Sequence, residues 1–237
     1  MDKKLLLSLI SMDEVEEIVK KHPLPVITYK QDGSPVTCLD LALSEYFEEL
    51  FIHHFPGHNF YSEEKFSNWA FPMIALDPLD GTKEYIHGRA EWSVSISILE
   101  DDKFHGQGVI INPLTQEIFA NYQKQNFRSQ KHYRGEVSRS EWESGLFKNT
   151  SSEKYSLTPM GSIAYKLGRL ANGDSDFVIS LRPKNIWDIA AGTILCHQAG
   201  IKFYSKGKEV TEAKPYYEPP LIWCFEENFL ELSSLWS

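Results

Sequence analysis

Leu6, Leu9, Ile10, Val15, Ile18 and Val19 fall on one helical face and predict an opening helix that ends near Lys21, ahead of Pro23. Residues 25–29 read as a strand, and Gln31-Asp32-Gly33-Ser34-Pro35 as a turn. A second helix is expected over residues 37–55. Leu39, Leu43, Phe47, Leu50 and Phe51 share its apolar face, and Asp40, Ser44, Glu45 and Glu48 are the polar complement. The apolar run 71–76 predicts a short buried strand. Residues 91–99 alternate, with Trp92, Val94, Ile96 and Ile98 set against Ser93, Ser95 and Ser97, which predicts a half-buried strand. Further strands are expected at 106–111 and 116–122, turned by Asn112-Pro113.

From residue 123 to 158 the chain becomes polar and basic and its periodicity weakens. A domain junction is expected at the start of this stretch, dividing an N-terminal α+β unit (1–122) from a C-terminal α/β unit (123–237). Regular patterning resumes with a helix near 161–171, a strand at 176–181, a helix at 188–199, and strands near 201–204 and 221–225.

The 237 residues are 42% hydrophobic and 24% charged, which excludes wholesale disorder and fibrous repeats. The net charge of −9 argues against a nucleic-acid polymer as partner, since phosphate backbones reward basic surfaces. It leaves room for a small anionic substrate if bound cations reverse the local field. Cys38, Cys196 and Cys224 are few and far apart, which suits a reducing compartment. The run Leu5 to Ile10 is too short for a signal peptide or a membrane span. A cytoplasmic protein without membrane association is expected.

The segment Leu76-Asp77-Pro78-Leu79-Asp80-Gly81-Thr82 carries the most chemistry. A buried strand would deliver Asp77 at its carboxyl end. Pro78 biases Asp77 toward extended backbone, and a turn after it would let Asp80 point back toward Asp77. Gly81 opens conformations closed to other residues, so the Gly81 and Thr82 amides can face an anion. Two carboxylates and a turn carbonyl make a hard, all-oxygen site that suits magnesium better than zinc. Two further acidic positions could join it: Glu63 in Ser62-Glu63-Glu64, and Asp188 at the head of the small-residue helix Trp187-Asp188-Ile189-Ala190-Ala191-Gly192. Each alone reads more simply, as a solvated face and a first-turn helix acid. His53, His54 and His58 cluster without a fourth ligand and read as a solvated loop.

Taken together and in this order, Asp77 to Thr82 and Trp187 to Gly192 resemble the two signature blocks of the inositol monophosphatase family of magnesium-dependent, lithium-sensitive phosphatases. Within that family the resemblance is nearest to the CysQ type, the 3′(2′),5′-bisphosphate nucleotidases. It rests on Ser34-Pro35-Val36-Thr37, Ser62-Glu63-Glu64, the extension Lys83-Glu84-Tyr85-Ile86, and Asn185-Ile186-Trp187-Asp188. The resemblance implies a layered sandwich of alternating helices and sheets, of the inositol monophosphatase and fructose-1,6-bisphosphatase type.

It also implies roles. Glu63 would bind metal and orient the attacking water, and Asp77 would bridge two magnesium ions. The Leu79 carbonyl would join the first ion, and Asp80 and Asp188 the second; a third ion is compatible with the family scheme. Thr82 would polarise the nucleophilic water with support from Asp40. The Gly81 and Thr82 amides would hold the phosphate. Gly161, Ser162 and Lys166, together with Asp188, would contact the rest of the substrate. The implied activity is hydrolysis of 3′-phosphoadenosine 5′-phosphate, with an inositol or sugar phosphate as the alternative and non-catalytic metal or nucleotide binding as a second. A monomer and a homodimer are both compatible with it.

Two positions depart from the family pattern. Gln123-Lys124-Gln125-Asn126-Phe127 stands where a glycine-rich segment is usual. In Ser138-Arg139-Ser140-Glu141 a glutamate stands where the family has histidine, and a carboxylate there would oppose an anionic substrate if it lined the pocket.

Overall fold

Two sheets dominate a computed structural model that describes residues 5–23, 25–30, 33–65, 68–120, 131–147 and 153–233. The first has five strands in the order Asn59–Ser62, Met73–Asp80, Ser93–Leu99, Gly106–Asn112 and Glu117–Ala120; the first pair is parallel and the rest antiparallel. The second has six, in the order Lys208–Glu209, Lys202–Ser205, Leu221–Cys224, Phe177–Ser180, Tyr133–Ser138 and Tyr155–Met160.

Helices and sheets alternate. Leu39, Leu43, Phe47 and Phe51 of the Cys38–His54 helix, with Val15 of the Met12–Lys21 helix, pack on Ile74, Leu76, Val94, Ile96 and Ile98 of the first sheet. The opposite face of that sheet meets the Ile163–Asn172 and Ile186–Ala199 helices, which also cover Val178, Phe203, Leu221 and Trp223 of the second sheet. The outer face of the second sheet is closed by Phe147, Leu232 and Phe229, the last two from the Glu226–Ser233 helix. This is the alternating helix-and-sheet sandwich expected from the sequence. Among the described residues no helix is long and apolar enough to cross a membrane.

The middle layer is tight because its residues are small. A Cβ on Gly108 would lie 2.5 Å from the Ala191 carbonyl oxygen, and one on Gly192 would lie 2.4 Å from the Leu167 Cβ. The Ile186–Ala199 helix therefore sits directly on the first sheet and fixes the height of its first turn, where Asp188 lies.

The strand at Ser93–Leu99 is buried on both faces, not on one as its alternation suggests. Its serines face the middle helices and are satisfied inside: Ser95 Oγ donates to the Trp187 carbonyl at 3.2 Å and Ser97 Oγ to the Ala75 carbonyl at 3.4 Å. A hydroxyl that finds a carbonyl is as much at home in a core as a methyl. The opening helix is two helices, Leu5–Leu9 and Met12–Lys21, because Ser11 caps the second by accepting from Glu14 N at 3.3 Å. Part of the polar stretch 123–158 is regular: the strands Tyr133–Ser138 and Tyr155–Met160 and the short Arg139–Glu143 helix. The glycine-free segment 123–127 lies outside the described residues, as does the tip of the turn at 31–32.

Candidate active site

The Met73–Asp80 strand does not end at Asp77, as the sequence reading has it; it runs on through Asp80. Asp77 pairs with Ser95 and Asp80 with Ser93, so the register slips between them. Asp77 is nearly sealed, at 2% exposure, and its Oδ1 accepts from Leu79 N at 3.0 Å. Gly81 then takes φ +99°, the left-handed backbone that a side chain resists, and starts the short Thr82–Ile86 helix. A Cβ there would also press on Glu91 and Trp92 at 3.1 Å.

Asp40 reaches this turn from the first turn of the Cys38–His54 helix. A capping box fixes it: its Oδ2 accepts from Thr37 N at 2.8 Å and from Thr37 Oγ at 2.5 Å. Its Oδ1 lies 3.3 Å from Thr82 Oγ, which also stands 3.2 Å from the Leu79 carbonyl oxygen. Burial pushes the Asp40 carboxyl up to about 6 against the hydrogen bonds from Thr37.

Asp188 comes from the other side. It is the third residue of the Ile186–Ala199 helix, and its Oδ2 accepts from Asn185 N at 2.9 Å in a second capping box. Burial raises it to about 7; Lys184 opposes that shift, while Asp80 and Glu63 add to it. Asp77 is raised well above its ordinary range by burial and then by the charges of Glu63, Asp80 and Asp188. Glu63, Asp80 and Asp188 thus make Asp77 harder to ionise, and Asp80 and Glu63 do the same to Asp188.

Glu63 and Asp80 are also engaged by side chains from other segments. Glu63 Oε1 lies 2.8 Å from Lys30 Nζ, which also holds Glu64 Oε1 at 2.7 Å. Asp80 Oδ2 accepts from Ser162 Oγ and from Ala164 N, both at 2.6 Å. As they stand, no three His, Cys, Asp or Glu side chains among the described residues are arranged to hold an ion. The donor set nevertheless fits a hard divalent cation by its chemistry. It is all oxygen, Asp77 is sealed and the other three acids are half-buried, and its mutual repulsion is what a cation would relieve.

Glu63, Asp80, Gly81, Thr82, Gly161, Ser162 and Lys166 line one cavity of about 310 Å³. Ser162, at φ +46°, both caps the Ile163–Asn172 helix and holds Asp80. Lys166 is on the wall, but its ammonium is not offered to a ligand as expected. It is 1% exposed and donates to the carbonyls of Met160, Gly161 and Ser162 at 3.2, 2.9 and 2.8 Å. Burial pulls it down to about 8.

Glu141 is not on the cavity wall. It is fully buried, accepting from Ser180 Oγ and Leu181 N at 2.7 Å each. His53 and His54 are exposed at the end of their helix, and each ring bonds a carbonyl of that helix. Sequence reasoning missed Lys30 and Lys184, because a lone lysine in a strand or turn gives no local signal. Arg139, a cavity residue held by Glu91 at 2.5 Å, was visible only as part of a motif.

Comparison with known proteins follows the same lines. The model of the inositol monophosphatase family matches residues 10–220. The 3′(2′),5′-bisphosphate nucleotidase CysQ of Escherichia coli K12 is 27% identical over 199 residues, covering 75% of this chain and 78% of its own. The inositol-1-monophosphatase of Bacillus subtilis 168 is 23% identical over 224 residues, covering 79% and 83%. Among solved structures, a Thermotoga maritima IMPase superposes with a TM-score of 0.81 at 22% identity, covering 99% of this chain and 96% of its own.

Proposed function

The chain belongs to the inositol monophosphatase family and is a phosphatase, and on that premise we propose that it hydrolyses 3′-phosphoadenosine 5′-phosphate, or a related 3′(2′),5′-bisphosphate nucleotide, with magnesium. The observation that carries the reaction type is the Thr82–Asp40 pair, set beside a group of mutually repelling carboxylates. Relatives named as bisphosphate nucleotidases support the substrate.

Glu63, Asp77, Asp80, Asp188 and the Leu79 carbonyl would hold two or three magnesium ions. Bound there, magnesium would supply Lewis acidity and an acidified water. The remaining work falls to the protein. The one Thr82 hydroxyl proton reaches Asp40 Oδ1 at 3.3 Å or the Leu79 carbonyl at 3.2 Å, and with that carbonyl given to an ion it would go to Asp40. That leaves the Thr82 oxygen lone pairs to accept from the attacking water and aim it. Glu63, which lines the same cavity, would take part in orienting that water. The Gly81 and Thr82 amides, at a turn that only a left-handed residue can make, present donors to the phosphoryl oxygens.

An inositol phosphate is the second reading, favoured by the similarity to a protein named as an inositol monophosphatase. A turnover panel of 3′-phosphoadenosine 5′-phosphate, inositol 1-phosphate and a sugar phosphate, with and without magnesium, tests both. Preference for the bisphosphate nucleotide supports the proposal, and preference for inositol 1-phosphate replaces it. Absence of any turnover with magnesium would leave only non-catalytic binding.

A further inference from the structure

Among the described residues four cations line the cavity: Lys83, Arg139, Lys166 and Lys184. A substrate with a second anionic group needs one of them free, because a cation already neutralised has little left to give. Lys166 is spent on three backbone carbonyls. Arg139 is bound to Glu91 at 2.5 Å and lies 3.8 Å from Glu84. Lys83 is exposed, where water and salt weaken a point charge.

Lys184 differs from all three. It is half-buried, and among the described residues its ammonium makes no hydrogen bond and no close ion pair, although its charge eases the ionisation of Asp188. Its backbone is fixed: Lys184 pairs with Tyr217, Asn185 with Tyr216, and Ile186 N donates to the Pro215 carbonyl at 3.0 Å. The next residue, Asn185, caps the helix that carries Asp188. A half-buried cation on a paired strand therefore shares one cavity with Glu63, Asp80 and Thr82.

We propose that Lys184, and not Lys166, recognises the non-reacting anionic group of the substrate, and so sets the preference of this enzyme for doubly anionic phosphoesters. The proposal rests on the phosphatase reading above, but not on the nucleotide. Lys166 instead holds the turn 160–162 in shape. That turn presents Ser162 to Asp80, so Lys166 is a positioning residue.

The test compares substrates that differ only in the second phosphate: 3′-phosphoadenosine 5′-phosphate against adenosine 3′-phosphate, and fructose 1,6-bisphosphate against fructose 1-phosphate. In Lys184→Gln the ratio of kcat/KM for the bisphosphate to that for the monophosphate should fall about tenfold or more, chiefly through KM. Lys184→Arg should keep most of the ratio. Lys208→Gln, at an exposed position outside this cavity, serves as control. Magnesium affinity by calorimetry should not weaken in Lys184→Gln, because a lysine charge beside Asp188 opposes a cation there, and the melting temperature should stay within error, which separates the effect from disturbance of Asp188. An unchanged ratio overturns the proposal, as does an equal loss on both members of a pair or the absence of turnover on any bisphosphate. If only the fructose pair is turned over and its ratio falls, the nucleotide reading fails and the role of Lys184 stands.

Discussion

Thr82 and Asp40 lie 42 residues apart in the chain, yet their side-chain oxygens stand 3.3 Å apart beside the Leu79 carbonyl. The contact joins the first turn of one helix to the first turn of another at the carboxyl end of the Met73–Asp80 strand. Thr82→Ala should keep the fold and the affinity for magnesium, because the hydroxyl is not needed to bury anything. It should lower kcat by roughly 100-fold, equivalent to about 2.7 kcal/mol of barrier, since the water loses its acceptor. Single-turnover rates and calorimetric magnesium titration of the same variant check the two halves. A variant that turns over at the unmodified rate removes Thr82 from the mechanism.

Asp40 should also leave a mark on stability. Its carboxyl is raised from 3.8 to about 6 in the folded protein, first by burial. A raised acid favours folding most when it is protonated. Its contribution is complete below about pH 3.8 and is lost as the pH climbs through 6. Two units correspond to roughly 3 kcal/mol. Asp40→Asn cannot ionise, so the stability of the unmodified protein relative to this variant should decline between pH 4 and 7, whatever the constant offset from the altered cap. Urea denaturation of both proteins at several pH values, without metal, measures the decline; parallel curves would contradict it.

The Asp77 to Thr82 block and the Trp187 to Gly192 block were legible because their chemistry is local. Pro78, Gly81 and the small residues Ala190, Ala191 and Gly192 state their backbone and packing needs in a few positions. What the sequence hid depends on distant partners. The Tyr133–Ser138 strand reads as polar because Glu136 fills a core position, where its carboxylate meets Arg169 at 2.9 Å, and because Gly135 leaves room for the Phe177 ring. The serines of the Ser93–Leu99 strand look solvated until the middle helices cover them. Lys166 looks like a ligand-binding cation, and nothing local shows that three carbonyls enclose it.

Lys30 would compete with a cation proposed at Glu63. Its ammonium occupies Glu63 and Glu64 at 2.8 and 2.7 Å. A magnesium ion at Glu63 must displace it, and a retained lysine would then face a like charge. Lys30→Gln should therefore bind magnesium more tightly, by several-fold, in calorimetric titration at low ionic strength. Excess chelator should abolish turnover in both proteins. Weaker binding in Lys30→Gln would show that the lysine supports the metal site, and turnover in chelator would remove the metal from the reaction.

Glu141 stands where relatives of this type were expected to carry histidine, and the structure changes what that substitution should do. A carboxylate on the cavity wall would repel an anionic substrate, and replacing it with histidine would improve binding. Glu141 instead is fully buried, and its two oxygens accept from Ser180 Oγ and Leu181 N at 2.7 Å. Those bonds tie the short Arg139–Glu143 helix to the end of the Phe177–Ser180 strand, just before the segment that carries Lys184. Histidine is shorter and cannot accept at both positions, so one buried donor loses its partner. The expected cost is about 1–3 kcal/mol, which in a protein of this size lowers the melting temperature by several degrees, at roughly 2–4 °C per kcal/mol. Glu141→Gln should be destabilised less than Glu141→His, because its amide oxygen can accept from Leu181 N while its amide nitrogen donates to Ser180 Oγ, whose proton can turn to the Arg182 carbonyl at 3.1 Å. Differential scanning calorimetry of the three proteins measures this, and the KM for 3′-phosphoadenosine 5′-phosphate should not improve in Glu141→His. An unshifted melting temperature together with a lower KM would return Glu141 to the pocket as an electrostatic obstacle.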